Sequence, residues 1–154
     1  MFKGNKWDNR FINLAKTVSS WSKDGTKVGA VIVRPDKTIA SVGFNGLPPG
    51  MNDDDYFPLD RRDSSARVEK NLMVLHAEEN AVLSCTDASM KDYSIFIYGL
   101  HPCAHCASVL ARKGIGQVSS VGKFHPDWEA SVKAAQKVFS QCGIYHRMEK
   151  LIDP

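Results

Sequence analysis

The sequence predicts an α/β fold in which helices pack on a five-stranded mixed sheet. Strand-like and helical segments alternate along most of the chain, which is typical of layered α/β domains. A hairpin of β-branched residues precedes this alternation, so the sheet should combine antiparallel and parallel pairs. A length of 154 residues allows one domain with its own core. Because no repeat or low-complexity tract divides the chain, we expect a single domain over residues 1–154.

An amphipathic helix is the first element of the chain. The apolar residues Trp7, Phe11, Leu14 and Val18 recur at the spacing of one helix face. Charged residues and a glycine follow them, so we expect the helix to end near Gly25.

Two short strands come next and form the hairpin. The run 28–33, VGAVIV, is β-branched and too short for a helix. The turn sequence RPDK at 34–37 leads into a second strand at 38–44. Residues 46–65 are rich in proline, glycine and charge, and a loop of about 20 residues in a compact domain is usually functional or disordered.

Alternating helices and strands fill the rest of the chain. Apolar spacing and Gly punctuation predict helices at 66–75, 76–85, 103–115 and 128–143, and strands at 93–100, 117–122 and 144–150.

Composition excludes several classes of protein. The chain is 43% hydrophobic and 24% charged with a formal net charge of +3, which is a weak indication of a nucleic-acid surface. No segment has the apolar length of a signal peptide or a membrane span. We therefore expect a cytoplasmic protein, or one in the host cytoplasm if a virus encodes it, with no membrane or nucleic-acid partner. Four cysteines in such a chain indicate metal binding or catalysis rather than disulfides.

The spacing of two cysteines indicates a half-site for a metal. Cys103 and Cys106 are three residues apart at the predicted start of a helix, so both thiols point off its first turn. The helix N-terminus favours their thiolate forms. On its own this spacing also fits a redox dithiol or inert cysteines.

A histidine and a glutamate upstream favour a catalytic zinc site. His76 adds an imidazole to the two thiols, and three protein ligands are typical of a catalytic zinc that keeps one open position. Glu78 then lies beside the metal as a proton acceptor. His105 points away from Cys103 on such a helix, and we expect His101 to line the pocket.

Four motifs in order resemble a known family. They are TKVGAVIV at 26–33, GFNG at 43–46, HAEENAV at 76–82 and PCAHC at 102–106. The order H-x-E then P-C-x-x-C is typical of zinc nucleobase deaminases. Over about residues 7–122 the chain resembles the deoxycytidylate (dCMP) deaminases of the zinc-dependent cytidine and deoxycytidylate deaminase superfamily.

The resemblance implies a fold and an activity. It implies a cytidine-deaminase-like, three-layer α/β/α domain around a five-stranded mixed sheet. It implies hydrolysis of dCMP to dUMP and ammonia, supplying dUMP for dTTP synthesis, at one zinc ion held by His76, Cys103 and Cys106. Glu78 would be the catalytic proton carrier, acting as both base and acid.

The resemblance also implies substrate contacts. Asn45 would contact the sugar, and Ala77 would lie at the substrate. The 5′-phosphate needs a basic group, for which the chain offers Lys27, Lys123 and His125 as substrate-binding candidates, with Arg34, Arg61 and Arg62 as further ones.

Regulation is a further implication of the family. The GFNG segment resembles an effector site for dCTP as activator and dTTP as inhibitor, formed by Gly43, Asn45 and Gly46. Asp53 belongs to the acidic triplet 53–55, which is typical of a solvated run of charges; the alternative is a carboxylate site for Mg²⁺ bound with an effector nucleoside triphosphate. The family also implies a homo-oligomer, often a hexamer.

One feature of related enzymes is not expected here. Some carry a second, structural zinc, but residues 1–75 contain neither Cys nor His. The 46–65 loop would then be held by a ligand, a metal or a neighbouring subunit.

Two other functions remain open on the sequence. The zinc motif is shared with deaminases of tRNA adenosine, nucleosides or free cytosine. A non-catalytic, zinc-stabilised binding module would need a fourth protein ligand and no use for Glu78.

Overall fold

The computed structural model describes residues 3–152. In chain order the elements are α1 (Lys6–Ser19), β1 (Gly29–Val33), β2 (Ile39–Phe44), α2 (Ser64–Met73), α3 (Ala77–Ser84), β3 (Ser94–Leu100), α4 (Ala104–Lys113), β4 (Gln117–Lys123), α5 (Glu129–Gln141) and β5 (Tyr145–Lys150). Short 3₁₀ turns lie at Asp53–Asp55, Leu59–Arg61 and Pro126–Trp128. Within residues 3–152, no helix has the length and apolarity needed to cross a membrane.

The five strands form one mixed sheet, which confirms the predicted fold class. Their order across the sheet is β2-β1-β3-β4-β5. Strand β1 runs antiparallel to both β2 and β3, whereas β4 runs parallel to both β3 and β5.

Helices cover both faces of this sheet. On one face, α1 packs through Phe11, whose ring centroid lies 5.2 Å from that of Phe96 on β3. On the other face, Leu110 of α4 and Phe139 of α5 pack in the larger cluster. All five residues of β1 are buried because the strand is central and covered on both sides. The three-layer α/β/α arrangement is confirmed.

The strand directions bring four chain segments to one edge of the sheet. Gly29 at the start of β1 pairs with Phe44 at the end of β2 and with Tyr98 near the end of β3. Leu100 at the end of β3 pairs with Lys123 at the end of β4. Helices α3 and α4 begin at this edge. In sheets of this kind, ligands bind beyond the carboxyl ends of the parallel strands.

Helix α1 is shorter than its apolar pattern predicts. It ends at Ser19 instead of near Gly25. The hydroxyls of Ser19 and Ser20 donate to carbonyls one turn back, which competes with helix continuation. Trp21 leaves the helix and meets the Phe44 ring edge to face at 6.1 Å.

The long loop predicted at 46–65 spans residues 46–63 in the structure, so it ends two residues earlier than predicted. Helix α2 begins at Ser64, after Asp63 caps it by accepting from the Ser65 amide. The loop is tied to α2 by an ion pair between Lys70 and Asp60. An interaction within the chain thus contributes to holding the loop, and the expected ligand, metal or neighbouring subunit stays a prediction.

A glycine allows α3 to lie directly against β2. A Cβ atom at Gly43 would fall 2.3 Å from the Ala81 nitrogen and 2.6 Å from the Ala77 oxygen, both backbone atoms that cannot rotate away. The close approach sets the position of the first turn of α3 at the sheet edge.

We predict that Gly43→Ala lowers the free energy of unfolding by about 1–3 kcal/mol, because α3 must move outward to admit the methyl group. Urea unfolding followed by circular dichroism measures this. Gly46→Ala is the matched control, since nothing lies within 4 Å of a Cβ built there. Equal effects of the two substitutions would contradict the packing argument.

Candidate functional site

Three side chains predicted as metal ligands meet at this edge. The His76 Nδ1 atom lies 3.5 Å from the Cys103 sulfur and 3.4 Å from the Cys106 sulfur. All three donor atoms lie within 4.8 Å of one another, and both cysteines are buried. One divalent ion could therefore contact all three.

Two helix N-termini position these donors. His76 is the N-cap of α3, where its amide donates to Glu79 Oε1 at 3.0 Å. Cys103 is the N-cap of α4, and its sulfur accepts from the Cys106 amide at 3.4 Å. The partial positive charge of both N-termini favours thiolate at this point.

The protonation of the three donors is coupled. Hydrogen bonds from Cys106, and then from His76, lower the pKa of the Cys103 thiol to about 4. The same contact with Cys103 raises the pKa of His76 to about 9. The pKa of Cys106 is raised because its thiol donates to Cys103 and is buried. A bound cation therefore replaces the protons of His76 and Cys106, and its affinity rises with pH.

The donor chemistry fits zinc. Thiolate sulfur and imidazole nitrogen are ligands that zinc prefers, and three of them leave a fourth position for water or substrate. A structural site would use a fourth protein ligand. Within residues 3–152, these three residues form the only group of three or more His, Cys, Asp or Glu side chains that lie close enough to bind one ion together.

Glu78 lies in the first turn of α3, two residues after His76. Its side chain is buried, and desolvation raises the pKa of the carboxyl group to about 7. A carboxyl group with such a pKa exchanges protons readily near neutral pH, which is the property a proton carrier needs.

His101, whose role the sequence left open, lines a cleft together with Trp128, the residue whose ring lies near that of His76. The cleft has a volume of about 350 Å³. The His101 Nδ1 atom lies 2.7 Å from the hydroxyl of Ser120, and burial lowers the pKa of the ring. His101 is therefore neutral at pH 7.

Two residues of the 125–131 segment support the site and were missed in the sequence. Trp128 donates from its indole nitrogen to the His101 carbonyl at 3.3 Å, and its ring centroid lies 6.2 Å from that of His76. The Ser131 hydroxyl accepts from the Ala104 amide at 2.9 Å and so satisfies the first free N–H of α4. The sequence did offer one signal for this support, which is a tryptophan shortly after the strand β4 that ends at the pocket.

The structure brings together two of the three phosphate candidates. Lys123 and His125 both line the cleft with His101. His125 is exposed, and its ring accepts from the Asp127 amide at 3.2 Å. Lys27 lies before β1, away from this cleft, and its ammonium donates to the Ser22 carbonyl.

Asn45 has both polar atoms of its side chain engaged. Its Oδ1 accepts from the Val28 amide at 2.9 Å, and its Nδ2 donates to the Thr26 carbonyl at 2.7 Å. These bonds fasten the end of β2 to the start of β1. The sugar contact stays a prediction, as does the role of Ala77, which is fully buried as the first residue of α3.

One of the predicted effector residues packs against a helix, and the other three line a second pocket. Gly43 faces the backbone of α3. Asn45, Gly46 and Asp53 line a pocket of about 250 Å³ together with Lys23. The Lys23 ammonium lies 3.2 Å from Asp53 Oδ2, so the carboxylate already has a cationic partner.

Other candidate residues lie elsewhere. His105 is exposed, as its helical position predicts. Cys142 is exposed and Cys85 is half-buried, and neither belongs to the donor group. Arg34 lies at the far end of β1 in a bidentate contact with Asp87 at 2.7 and 3.0 Å, so it was wrong as a phosphate candidate.

Comparisons of the sequence agree with this geometry. The family model described as "Cytidine and deoxycytidylate deaminase zinc-binding region" matches residues 5–121. An "Uncharacterized deaminase in luxG 3′region" of Aliivibrio fischeri is 38% identical over 90% of each chain. The deoxycytidylate deaminase of Homo sapiens is 33% identical over 92% of this chain and 79% of the human one.

Solved structures share the fold. The crystal structure of a dCMP deaminase from the cyanophage S-TIM5, in complex with dCMP and dUMP, superposes with a TM-score of 0.70 at 22% identity. It covers 96% of this chain and 99% of the phage chain. A tRNA:A34 deaminase structure gives a TM-score of 0.55 at 18% identity over 93% of this chain and 98% of that one.

We predict that Cys106→Ser lowers the zinc content of the purified protein well below one ion per chain, because an alcohol is a far weaker zinc ligand than a thiolate. Cys142→Ser is the matched control, since that thiol is exposed and outside the donor group. Plasma emission spectrometry measures the metal. Full zinc content in Cys106→Ser would contradict the ligand assignment.

Proposed function

This chain belongs to the zinc-binding cytidine and deoxycytidylate deaminase family, and we propose that it hydrolyses dCMP to dUMP and ammonia. The observation that carries the proposal is the group formed by His76, Cys103 and Cys106 with the buried carboxyl group of Glu78 on the same helix turn. Three donors and an adjacent proton carrier are the parts that hydrolytic deamination requires.

In the proposed mechanism, the three donors hold one zinc ion. When bound, zinc acts as a Lewis acid that acidifies a water molecule for attack on C4 of the cytosine ring. The soft donors and the remaining open position are consistent with this use.

Glu78 moves the protons. Its carboxylate accepts a proton from water as the new C–O bond forms and delivers it to ring N3. The same carboxylate then takes the remaining proton from the hydroxyl group on C4 and carries it to the amino nitrogen, so that the C4 carbonyl forms as the C–N bond breaks and ammonia leaves neutral. The overall balance is dCMP plus water to dUMP plus ammonia. A carboxyl pKa near neutrality suits both directions of transfer.

The neighbouring side chains hold the ligands still. Ser131 and Glu79 satisfy N–H groups at the starts of α4 and of α3, and these bonds fix the backbone around Cys103 and His76. Trp128 covers the His76 ring and limits the approach of water from that side.

The cleft beside His101 supports a nucleotide substrate. Lys123 and His125 line it together with the neutral ring of His101, and a 5′-phosphate placed there would meet the ammonium group of Lys123. Lys27 and Asn45 belong to the proposed substrate side through their position at the same sheet edge. The name of the human relative, a deoxycytidylate deaminase, supports the same choice of substrate.

Regulation and assembly complete the proposal. The pocket lined by Asn45, Gly46 and Asp53 is the proposed effector site for dCTP and dTTP, with Mg²⁺ bound by the triphosphate and Asp53. We also propose a single domain, a homo-oligomer and a cytoplasmic location.

We predict that Glu78→Gln retains zinc and lowers kcat by about 10²–10⁴-fold, because the amide keeps the shape of the side chain but cannot carry a proton. Steady-state assays and metal analysis measure the two quantities. Glu69→Gln, at an exposed glutamate on α2, is the matched control. Loss of zinc with loss of turnover, or loss of neither, would count against the role of Glu78.

We predict that dCMP is turned over with a higher kcat/KM than CMP, deoxycytidine or cytosine, because only dCMP combines the 5′-phosphate with the deoxyribose. The same assays with dCTP and Mg²⁺ should show activation, and those with dTTP and Mg²⁺ inhibition. Preference for deoxycytidine over dCMP would refute the phosphate contact. Indifference to both triphosphates would refute the effector site alone.

A further inference from the structure

The proposed mechanism does not use His101, a polar residue at the carboxyl end of β3. It lies two residues before the metal donor Cys103. It lines the same cleft as Trp128, whose ring lies 6.2 Å from that of His76. His101 therefore belongs both to the segment that carries a metal donor and to the wall of the cleft in which we place the nucleotide.

Three contacts hold His101 against the end of β4 and the turn that follows it. Its carbonyl accepts from the Trp128 indole at 3.3 Å, and its Nδ1 atom lies 2.7 Å from the Ser120 hydroxyl oxygen. Gly122 permits the third contact, because a Cβ atom there would fall 2.6 Å from the His101 backbone nitrogen. The backbone and the ring are fixed together, so the second ring nitrogen, Nε2, has a defined position.

Ser120 determines which ring nitrogen carries the proton. The residue is fully buried on β4, and among residues 3–152 its hydroxyl makes no hydrogen bond other than the one with His101. A hydroxyl buried in this way needs an acceptor for its own hydrogen. The Nδ1 atom of His101 is that acceptor, so it carries no hydrogen, and the ring proton resides on Nε2.

The Nε2–H group of His101 is a hydrogen-bond donor that no atom among residues 3–152 accepts from. Because Nδ1 faces the buried serine, Nε2 lies on the other side of the ring and is the nitrogen that the residue offers to the cleft. Polar groups placed in this way in a cleft fix the orientation of a ligand. The ligand of this cleft should therefore present an acceptor atom to His101.

The charge of the cleft indicates which kind of acceptor this is. Three lysines and one glutamate line it, namely Lys123, Lys133, Lys150 and Glu129. The Glu129 carboxylate lies 3.1 Å from the Lys133 ammonium, so a cation already compensates its charge. An anionic oxygen is the favoured acceptor in such surroundings, and an N–H group bonds more strongly to an anionic oxygen than to a neutral one.

We propose that His101 is a substrate-binding residue that donates its Nε2–H to an oxygen of the 5′-phosphate. This inference rests on the proposed dCMP deaminase function and adds a contact to the same cleft. The lysines attract any anion, whereas the imidazole adds no charge and bonds along one direction. His101 therefore contributes to the preference for a nucleotide over its nucleoside and takes no part in proton transfer.

Two substitutions at His101 separate the two ring nitrogens. In His101→Asn the side-chain amide falls near the place of Nδ1, so it still reaches Ser120, and the donor into the cleft is lost. In His101→Gln the amide nitrogen falls near the place of Nε2, so a donor is kept. His105→Asn, at an exposed histidine on α4, is the matched control.

We expect His101→Asn to lower kcat/KM for dCMP about tenfold or more, mainly through KM, because a hydrogen bond to a charged group is lost. His101→Gln should stay within about threefold of the zinc-loaded parent. Both variants should leave the zinc content and kcat/KM for deoxycytidine unchanged, since that substrate has no phosphate. A purely structural role of His101 would lower kcat/KM for both substrates alike.

Ser120→Ala tests the tautomer with the ring of His101 in place. Loss of the hydroxyl allows the ring proton to reside on Nδ1, so kcat/KM for dCMP should fall while that for deoxycytidine does not. This variant also carries the test if His101→Asn does not fold.

The outcomes distinguish this contact from the proposed function. Equal losses for dCMP and deoxycytidine, or an unchanged kcat/KM for dCMP in His101→Asn, would overturn the role of His101. If the zinc-loaded parent does not deaminate dCMP, the proposed function fails, and binding of inorganic phosphate, followed by phosphorus NMR, tests the contact alone. Weaker phosphate binding in His101→Asn than in His101→Gln would support the contact, and equal binding would refute it.

Discussion

Two helix N-termini meet at one edge of the sheet, and the chemistry of this protein depends on that meeting. Helix α3 presents His76 as its N-cap and helix α4 presents Cys103, so their partial positive charges add at the same point. Gly43 permits α3 to approach the sheet closely enough for this to happen. A thiolate beside an imidazole is the result, and it is a ready site for a soft cation.

Three buried carboxyl groups have different surroundings and different roles. Glu78 is buried beside His76, and desolvation raises the pKa of its carboxyl group more than the charge of His76 lowers it. Asp24 and Asp60 are buried with a cationic partner, and their role is to hold chain segments together. At Glu78 desolvation dominates and leaves a carboxyl group that can carry a proton, whereas Asp24 and Asp60 make close ion pairs with Lys70 that hold chain segments together.

Local patterns in the sequence predicted the elements and the core of the site. The motif residues Cys103 and Cys106 lie one helix turn apart, and His76 and Glu78 lie at one helix start, so short spacings sufficed. Glycine at position 114, in the left-handed conformation, marked the end of α4 as expected.

Contacts between distant residues could not be predicted in this way. Lys70 and Asp24 are 46 positions apart, and Ser131 and Ala104 are 27 apart. Nothing in the pattern of α2 distinguishes Lys70 from a solvated lysine, because a helix rich in charge predicts an exposed face on every side. The contact of the Trp21 ring with Phe44, just beyond the end of α1, is equally non-local.

Lys70 ties the 46–63 loop to α2 and to the loop before β1 through ion pairs with Asp60 and Asp24, and no metal ion takes part in them. Its ion pairs are buried, so dissolved salt screens them far less than it screens surface pairs. A chelator that strips zinc from the thiolates leaves this tie intact, and thiol oxidants have no atom in it to attack. The ion pair that ties the 46–63 loop to α2 is therefore independent of whether the zinc site is filled.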